Sequence, residues 1–533
     1  MAVPNLESGS SIDGTLAGMI PDVWHLILDQ LDSLSDLCSV SLVSRTWYAM
    51  AVPHLYKTIP LVMRDTDPMD WFAQADRDPC VSARSLSSRL LDPRNEQLRN
   101  SVRELEFGRF NKKDVDDMEE RLVALVDSLP NLQRIKTRGR LSQDVLRRLD
   151  GHSKQLSLHL LGEDGKRTVE GELRSVRALA TAVNSFGGDR GPNKDILGVQ
   201  ALLFACPNLK SFSLTRRLAY GGCCPPIFAS ETVFSFRLSS DGHPFPPLED
   251  LSLNGYRLDQ NEEKHWIEKV QWSKLRSLNL GPQNTTDFLQ LASTHATCLR
   301  DLTVRVYTDA AGEDEQPLLE EFLMKITSLE SLTVIGYYVS PRVVGFQTGL
   351  KHLCLHSFEP EEESETRPVF RAVQLRELDA SCPYLETLEI DLHRDGTWPE
   401  PELKTLATGF KNLRRLTLHL ELGIVGVVVR QRPTGFAEES TNSIEPVLTE
   451  GSAREIGKQF FDWRSSSSSS SWSSRLSLLV LKTGEPLRRY PQWEPAYVKF
   501  ERRHADTIEV HWPIDREDAP EVVVLPRDPL SRF

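Results

Sequence analysis

Residues 385–390 read Leu385-Glu386-Thr387-Leu388-Glu389-Ile390: an apolar residue, two of any kind, a second apolar residue, one of any kind, and a third. Neighbouring side chains of a strand leave opposite faces, so Leu388 and Ile390 share one side and Thr387 and Glu389 the other. The same pattern stands at Leu209-Phe212-Leu214, Val233-Phe236-Leu238, Leu248-Leu251-Leu253, Leu275-Leu278-Leu280 and Leu299-Leu302-Val304. It continues at Leu329-Leu332-Val334, Leu350-Leu353-Leu355 and Leu413-Leu416-Leu418. Copies at Val102-Leu105-Phe107 and Leu132-Ile135 precede the run, and Leu476-Leu479-Leu481 follows it. Each copy predicts one short strand.

Between the copies lie segments of helical period, such as Met118, Leu122, Leu125 and Val126, or Leu318, Leu319, Phe322, Leu323 and Ile326. Most copies recur at roughly 20 to 35 residues, the period of leucine-rich repeats. A strand alternating with a helix and stacked many times predicts an α/β solenoid, parallel strands on the concave side and helices on the convex side. Pro130-Asn131-Leu132, Cys206-Pro207-Asn208-Leu209 and Cys382-Pro383-Tyr384-Leu385 punctuate the passage from helix to strand. The repeats vary in length and lack a consistent asparagine ladder. Residues 184–193, 219–226 and 359–365 are expected to be surface loops. A low-complexity insertion is expected at about 430–475, where Ser465 to Ser471 is an unbroken serine run. The alternating Thr507 to Trp512 and then Val522 to Leu525 are expected to close the open end of the array.

Ahead of the repeats, Met19 to Tyr56 has helical period in three pieces. Val23, Trp24, Ile27, Leu28 and Leu31 share a face of a helix that Pro21 can open. Ser35 is expected to cap a second helix bearing Leu37, Val40 and Val43, and Ser44 a third with Trp47, Met50 and Ala51 inward, which Pro53 ends. The order Asp22-Val23-Trp24, Ile27-Leu28, Leu31, Asp36-Leu37 and Val40-Ser41-Leu42-Val43-Ser44-Arg45-Thr46-Trp47 resembles an F-box of the fungal type. The departure is Met19-Ile20 in place of Leu-Pro, with proline one residue later. The expected organisation is a tail at 1–18, an F-box at 19–58, a helical or loop linker at 59–100 and a leucine-rich-repeat-like domain over 101–533.

That resemblance implies a substrate receptor of an SCF-type cullin-RING ubiquitin ligase. It implies docking of a Skp-family adaptor, and through it of cullin and RING subunits, by Pro21, Val23, Trp24, Ile27, Leu28, Leu31, Leu37, Val40, Val43 and Trp47. A non-ligase interaction scaffold is the alternative. The protein substrate would lie on the concave face, where alternation puts Asp301, Thr303, Arg305, His352, His356, Glu389, Asp391, Arg415 and His419.

The 533 residues carry 63 Lys and Arg against 76 Asp and Glu, a net charge of −13, which argues against binding a nucleic-acid polyanion. Met1 to Gly18 lacks the basic and apolar regions of a secretory signal, which predicts a cytoplasmic or nuclear protein. Leu422 to Val429, the longest strongly apolar stretch, is short for a membrane span and is expected to be a buried strand. The eight cysteines form no Cys-x-x-Cys pair and are expected to be reduced and mostly buried. No phosphate-binding or catalytic motif occurs, and His393-Arg394-Asp395 has Glu400 where a kinase needs asparagine. No enzymatic activity, cofactor, metal, nucleic acid or membrane partner is expected.

Overall fold

The computed structural model describes residues 21–31, 34–61, 79–108, 110, 113–163, 171–186, 194–219, 235–236, 238, 244–256, 258, 262–281, 285–305, 315–357, 368–394, 396–420, 428–432, 435–437, 446, 448–467, 476–483, 498–500, 506–511 and 521–525. They fall into two compact units: those within 1–163, 169–181 and 205–209 make the first, and those within 164–168, 182–204 and 210–533 the second.

The first unit opens with helices α1 (Pro21–Leu28), α2 (Leu34–Ser41) and α3 (Arg45–Leu55). Pro21 stands at the first position of α1, where its missing N–H costs nothing. Helix α2 starts two residues earlier than a Ser35 cap would allow, so Ser35 lies in its first turn instead of capping it. Ser44 does cap α3: its backbone is extended and its Oγ accepts from the Trp47 N–H at 3.3 Å. Pro53 does not end α3, which runs on to Leu55. Ala51, Val52, Leu28 and Leu37 are buried, while the Trp24 and Trp47 rings meet edge-on with centroids 4.7 Å apart.

The chain then enters a sheet at once. Strand β1 (Thr58–Leu61) pairs in parallel with β2 (Glu104–Phe107), Ile59 opposite Leu105 and Leu61 opposite Phe107. The stretch expected to be a linker is therefore structural: it supplies β1, then helices α4 (Pro79–Leu91) and α5 (Glu96–Ser101), with Ile59, Leu61 and Leu90 buried. Helix α6 (Val115–Ser128) buries Met118, Leu122, Leu125 and Val126, as its periodicity requires. Strand β3 (Arg134–Thr137), helix α7 (Gln143–Asp150), β4 (Ser157–Glu163) and β5 (Val176–Phe186), the last with only residues 176–181 in this unit, follow in the parallel order β1-β2-β3-β4-β5. Neither β4 nor β5 carries the full apolar pattern, and their pairing has register shifts after Leu158 and Leu160.

In the second unit helix α8 (Lys194–Ala205) precedes β6 (Ser211–Ala219) and β7 (Asp250–Asn254). Helices α9 (Glu263–Lys269), α10 (Thr285–His295), α11 (Glu315–Lys325), α12 (Pro341–Val344), α13 (Ala372–Ser381) and α14 (Glu400–Thr408) alternate with the strands that follow. Those strands are β8 (Ser277–Leu280), β9 (Asp301–Arg305), β10 (Ser331–Ile335), β11 (His352–His356), β12 (Thr387–Leu392) and β13 (Arg415–Leu420). They are parallel neighbours in chain order, and one register row joins Phe212, Leu251, Leu278, Leu302, Leu332, Leu353, Leu388 and Leu416. All eight are buried, so the spine is a continuous apolar stack in which each rung covers the next. The Val233-Phe236-Leu238 copy forms no strand at its described positions, although Phe236 is buried among Tyr256, Trp266 and Phe212.

The lead-ins hold neighbouring repeats together. Just before the spine leucine, Asn131 Nδ2 donates to Asn100 O at 2.8 Å, Asn208 Nδ2 to Arg174 O at 2.9 Å and Asn412 Nδ2 to Pro383 O at 2.8 Å. Ser328 Oγ does the same to Leu299 O at 2.6 Å. A partial clamp of this kind replaces the absent asparagine ladder.

Past β13, strands β14 (Val428–Arg432), β15 (Gly435–Ala437) and β17 (Val498–Phe500) form a small antiparallel sheet. Of the apolar stretch Leu422 to Val429, only Val428 and Val429 are described. Within the expected insertion at about 430–475, residues 450–467 instead form helix α15 (Glu450–Ser467), which buries Ala453, Ile456, Phe460 and Phe461 and packs on α14, while Ser468 to Ser471 of the serine run lie outside the described residues. Arg464, also buried, donates to Ala407 O, Gly409 O and Phe410 O at 3.2, 3.2 and 3.1 Å, satisfying carbonyls at the α14 C-terminus. Gly457 packs against Val510: a Cβ there would stand 2.6 Å from Val510 Cγ1, so a larger residue would force the Val510 side chain to shift. The expected closing strands are present: β16 (Leu478–Thr483) continues the parallel ladder, then β18 (Asp506–His511) and β19 (Glu521–Leu525) add antiparallel. Cys206 and Cys382 are buried, whereas Cys38 and Cys298 are exposed, contrary to the general expectation.

Candidate functional site

Two surfaces stand out, one apolar and one polar. The apolar one is on the three N-terminal helices. Leu42 is 85% exposed, Val43 69% and Leu26 66%, and Ile27 and Tyr48 are exposed beside them in sequence. So short a module has too few residues to enclose all its apolar side chains. Leu26-Ile27-Leu28 are consecutive in a helix, about 100° apart each, so they cannot all face one core. Leu28 is the one that turns inward.

Of the residues expected to meet an adaptor, Ile27 and Val43 are exposed, and Trp24, Leu31, Val40 and Trp47 are half-buried. Leu28 and Leu37 are buried and hold the helices together, which corrects their place in that set. Pro21 and Val23 lie on α1, with side chains outside the described residues. Leu26, Leu42 and Tyr48 are exposed apolar residues outside that expected set, signalled in the sequence by the apolar run around Leu26 and the Leu42-Val43 pair just beyond α2. His54 Nδ1 and Lys57 Nζ each lie 3.1 Å from Asp29 Oδ1, fixing the end of α3 to the turn after α1. The Lys57 hydrogen bond leads in holding the Asp29 carboxyl below its usual range.

The polar surface is the face of β8–β13 opposite the buried leucines. Register assembles it in rows. Ser277, Asp301, Ser331, His352, Thr387 and Arg415 form the first, and Asn279, Thr303, Thr333, Cys354, Glu389 and Thr417 the second. Asp301, Arg305, His352 and Arg415 are exposed, with Thr303 and Glu389 half-buried, so these expected positions are reachable by a ligand. Burial, followed by the charge of Glu330, raises the Asp301 carboxyl.

His356, Asp391 and His419 are different: all three are buried, which corrects their assignment to an open face. Alternation decides to which side of a sheet a residue points, and does not decide whether that side is covered. His356 and His419 project from the two strands flanking β12 and stack, ring centroids 3.8 Å apart, while Asp391 lies opposite His419 in register. His356 Nδ1 is 2.7 Å from Asp391 Oδ1, and the Ser357 N–H donates to Asp391 Oδ2 at 2.6 Å. His419 Nε2 is 2.6 Å from Glu389 Oε1, which also accepts from Lys482 Nζ at 2.8 Å. Burial pushes the His419 imidazole down to about 4, against the influence of Glu389. Burial works to raise the Glu389 carboxyl, yet the hydrogen bond from His419 and the Lys482 charge outweigh it and hold the group far below its usual range. Burial raises the nearby Cys354 thiol well above the ordinary value, so it is protonated at neutral pH.

Residues 21–61 match the F-box-like family model. The chain thus has an F-box-like domain at its N-terminus, followed by leucine-rich-repeat-like strands and helices. Among solved structures it is similar to the crystal structure of a TLR13–ssRNA13 complex, at 15% identity and a TM-score of 0.31, covering 60% of this chain and 44% of that chain. The chain therefore spans less than half the length of that solved chain. Comparison with curated proteins gives no match. Among the described residues no helix is long and apolar enough to cross a membrane.

Proposed function

We propose that this chain is the substrate-recognition subunit of an SCF-type cullin-RING ubiquitin ligase, its F-box-like helices docking a Skp-family adaptor and its repeats holding a protein substrate. The observation that carries this reading is the set of exposed apolar side chains Leu26, Ile27, Leu42, Val43 and Tyr48 within the matched residues. Apolar surface left in water costs about 25 cal/mol per Å², and a docked partner recovers it. Trp24, Leu31, Val40 and Trp47, half-buried in the same helices, are assigned to the docking surface with them. The receptor makes no bond itself. It raises the effective concentration of substrate lysines near the charged ubiquitin carrier.

Substrate contact is assigned to the reachable part of the polar face, Asp301, Thr303, Arg305, His352, Glu389 and Arg415. Its mixture of charges suits a protein surface better than a polyanion. Co-purification under proteasome inhibition tests the reading: adaptor and cullin should be recovered together, with substrate. Adaptor without cullin would instead favour a non-ligase scaffold. The paired reversals Arg305→Glu and Arg415→Glu should abolish substrate capture and leave adaptor capture intact. Unchanged substrate capture would move the binding surface off this face.

A further inference from the structure

We propose that His356, Asp391 and His419 form a binding site for a divalent transition-metal ion of the zinc type, held between three consecutive strands of the second unit. The inference is independent of any ligase role. One ligand atom from each of the three side chains lies within 4.8 Å of those of the other two. Ligands bound to zinc at about 2.0 to 2.2 Å lie roughly 3.3 to 3.5 Å from one another, so closing the site takes side-chain rotations on the order of 1 Å. The backbone already makes the approach. Strands β11, β12 and β13 are adjacent and parallel, and the two imidazoles lean over β12 from either side.

The donor chemistry selects the ion. Two imidazoles and one carboxylate form a borderline set that suits zinc and its neighbours, whereas calcium and magnesium take oxygen ligands throughout. The surroundings are those that metal-binding imidazoles use. Glu389 receives the His419 ring nitrogen at 2.6 Å and the Ser357 amide fixes Asp391 at 2.6 Å, so the ligands are oriented by outer hydrogen bonds. Lys482 opposes a cation, but its ammonium is engaged by Glu389 at 2.8 Å and two carboxylates outnumber it. Further along the same row the positions beside His356 are Ile335 and Arg305, which offer no metal ligand.

The test uses the full chain, stripped with chelator and titrated with Co2+ as the spectroscopic probe. The expected result is visible d–d absorption saturating near one equivalent, displaced by Zn2+, with Zn2+ raising the thermal midpoint. His356→Ala and His419→Ala should each remove the absorption while far-UV circular dichroism is unchanged, and Asp391→Asn should weaken Co2+ binding at least tenfold. If a variant fails to fold, the wild-type titration decides. Absence of d–d absorption in the wild type overturns the proposal, as does a band that persists undiminished in folded His356→Ala/His419→Ala protein.

Discussion

The F-box-like helices and the repeat strands spend their apolar residues in opposite ways. In the repeats every spine position from Phe212 to Leu416 is enclosed by the rungs on either side, and the face left to water carries Asp301, Arg305, His352 and Arg415. In the helices Leu28, Leu37, Ala51 and Val52 make the interior, and Leu26, Leu42 and Val43 are left outside. A stack grows its own cover with each repeat, whereas three short helices must borrow theirs. Apolar exposure therefore reads as an interface in the first region, and polar exposure as one in the second.

The sharpest way to break this contrast is to put charge on each side of it. Leu42→Asp combined with Val43→Asp should lower adaptor affinity by about 100-fold or more, since each docked aliphatic side chain contributes roughly 1.5 to 3 kcal/mol. The thermal midpoint should hardly move, because neither residue is packed inside the protein. Leu416→Ala should do the reverse, costing about 2 to 5 kcal/mol of stability through a cavity in the spine and leaving adaptor capture by folded protein unchanged. Calorimetry of both variants beside an adaptor-binding titration checks the pair. Large destabilisation by the aspartates would place Leu42 and Val43 in a core.

A second test concerns the segment where the sequence misled. The strand pattern at 385–390 and its copies gave the repeat spine correctly because a period of two with leucine at fixed positions has one physical solution in a stack. The serine run does not announce its structure, since serine is compatible with many environments. Helix α15 is decided instead by Ile456, Phe460, Phe461 and Arg464, whose spacing puts them on one face. Arg464→Ala should cost about 2 to 3 kcal/mol, because three carbonyls lose charge-assisted hydrogen bonds and stay buried. Thermal unfolding measures it. A loss under about 0.5 kcal/mol would restore the passive-insertion reading of this segment.

The first unit supplies a pH test. His159 on β4 is pushed down to about 4, by burial first and then by Arg134 and Lys136 across the face. Its folded value lies below the unfolded one, so the unfolded chain takes up a proton that the native state refuses. Stability should fall as pH drops from about 6.5 towards 4 and level off below that. His159→Gln should flatten that part of the profile relative to wild type, measured by denaturant midpoint between pH 7 and 4.5. An identical slope in both proteins would mean that His159 is charged in the native state.

The candidate surfaces were legible in unequal measure. Alternation placed Asp301, Arg305 and Arg415 on an open face, because pointing direction there also meant access. It could not show that His356, Asp391 and His419 on the same face are enclosed, since burial depends on which neighbours cover the C-terminal ends of their strands. The lead-in residues show the same limit from the other side: Asn131, Asn208 and Asn412 precede spine leucines in the sequence, but only the fold shows that each reaches a carbonyl of the preceding repeat.

The smallest effect tests how that neighbour-to-neighbour clamp works. Asn412→Ala removes one amide-to-carbonyl hydrogen bond across 2.8 Å at an exposed edge, where water can satisfy the freed Pro383 carbonyl. The cost should be about 1 kcal/mol or less. In a stack whose stability is a sum of repeat and interface terms, the loss should also be local. Amide hydrogen exchange should quicken in β12 and β13 and stay unchanged in β7 and β8. Uniform acceleration along all these strands would show instead that the repeats unfold as one cooperative block, with no energetic boundary for a single clamp to loosen.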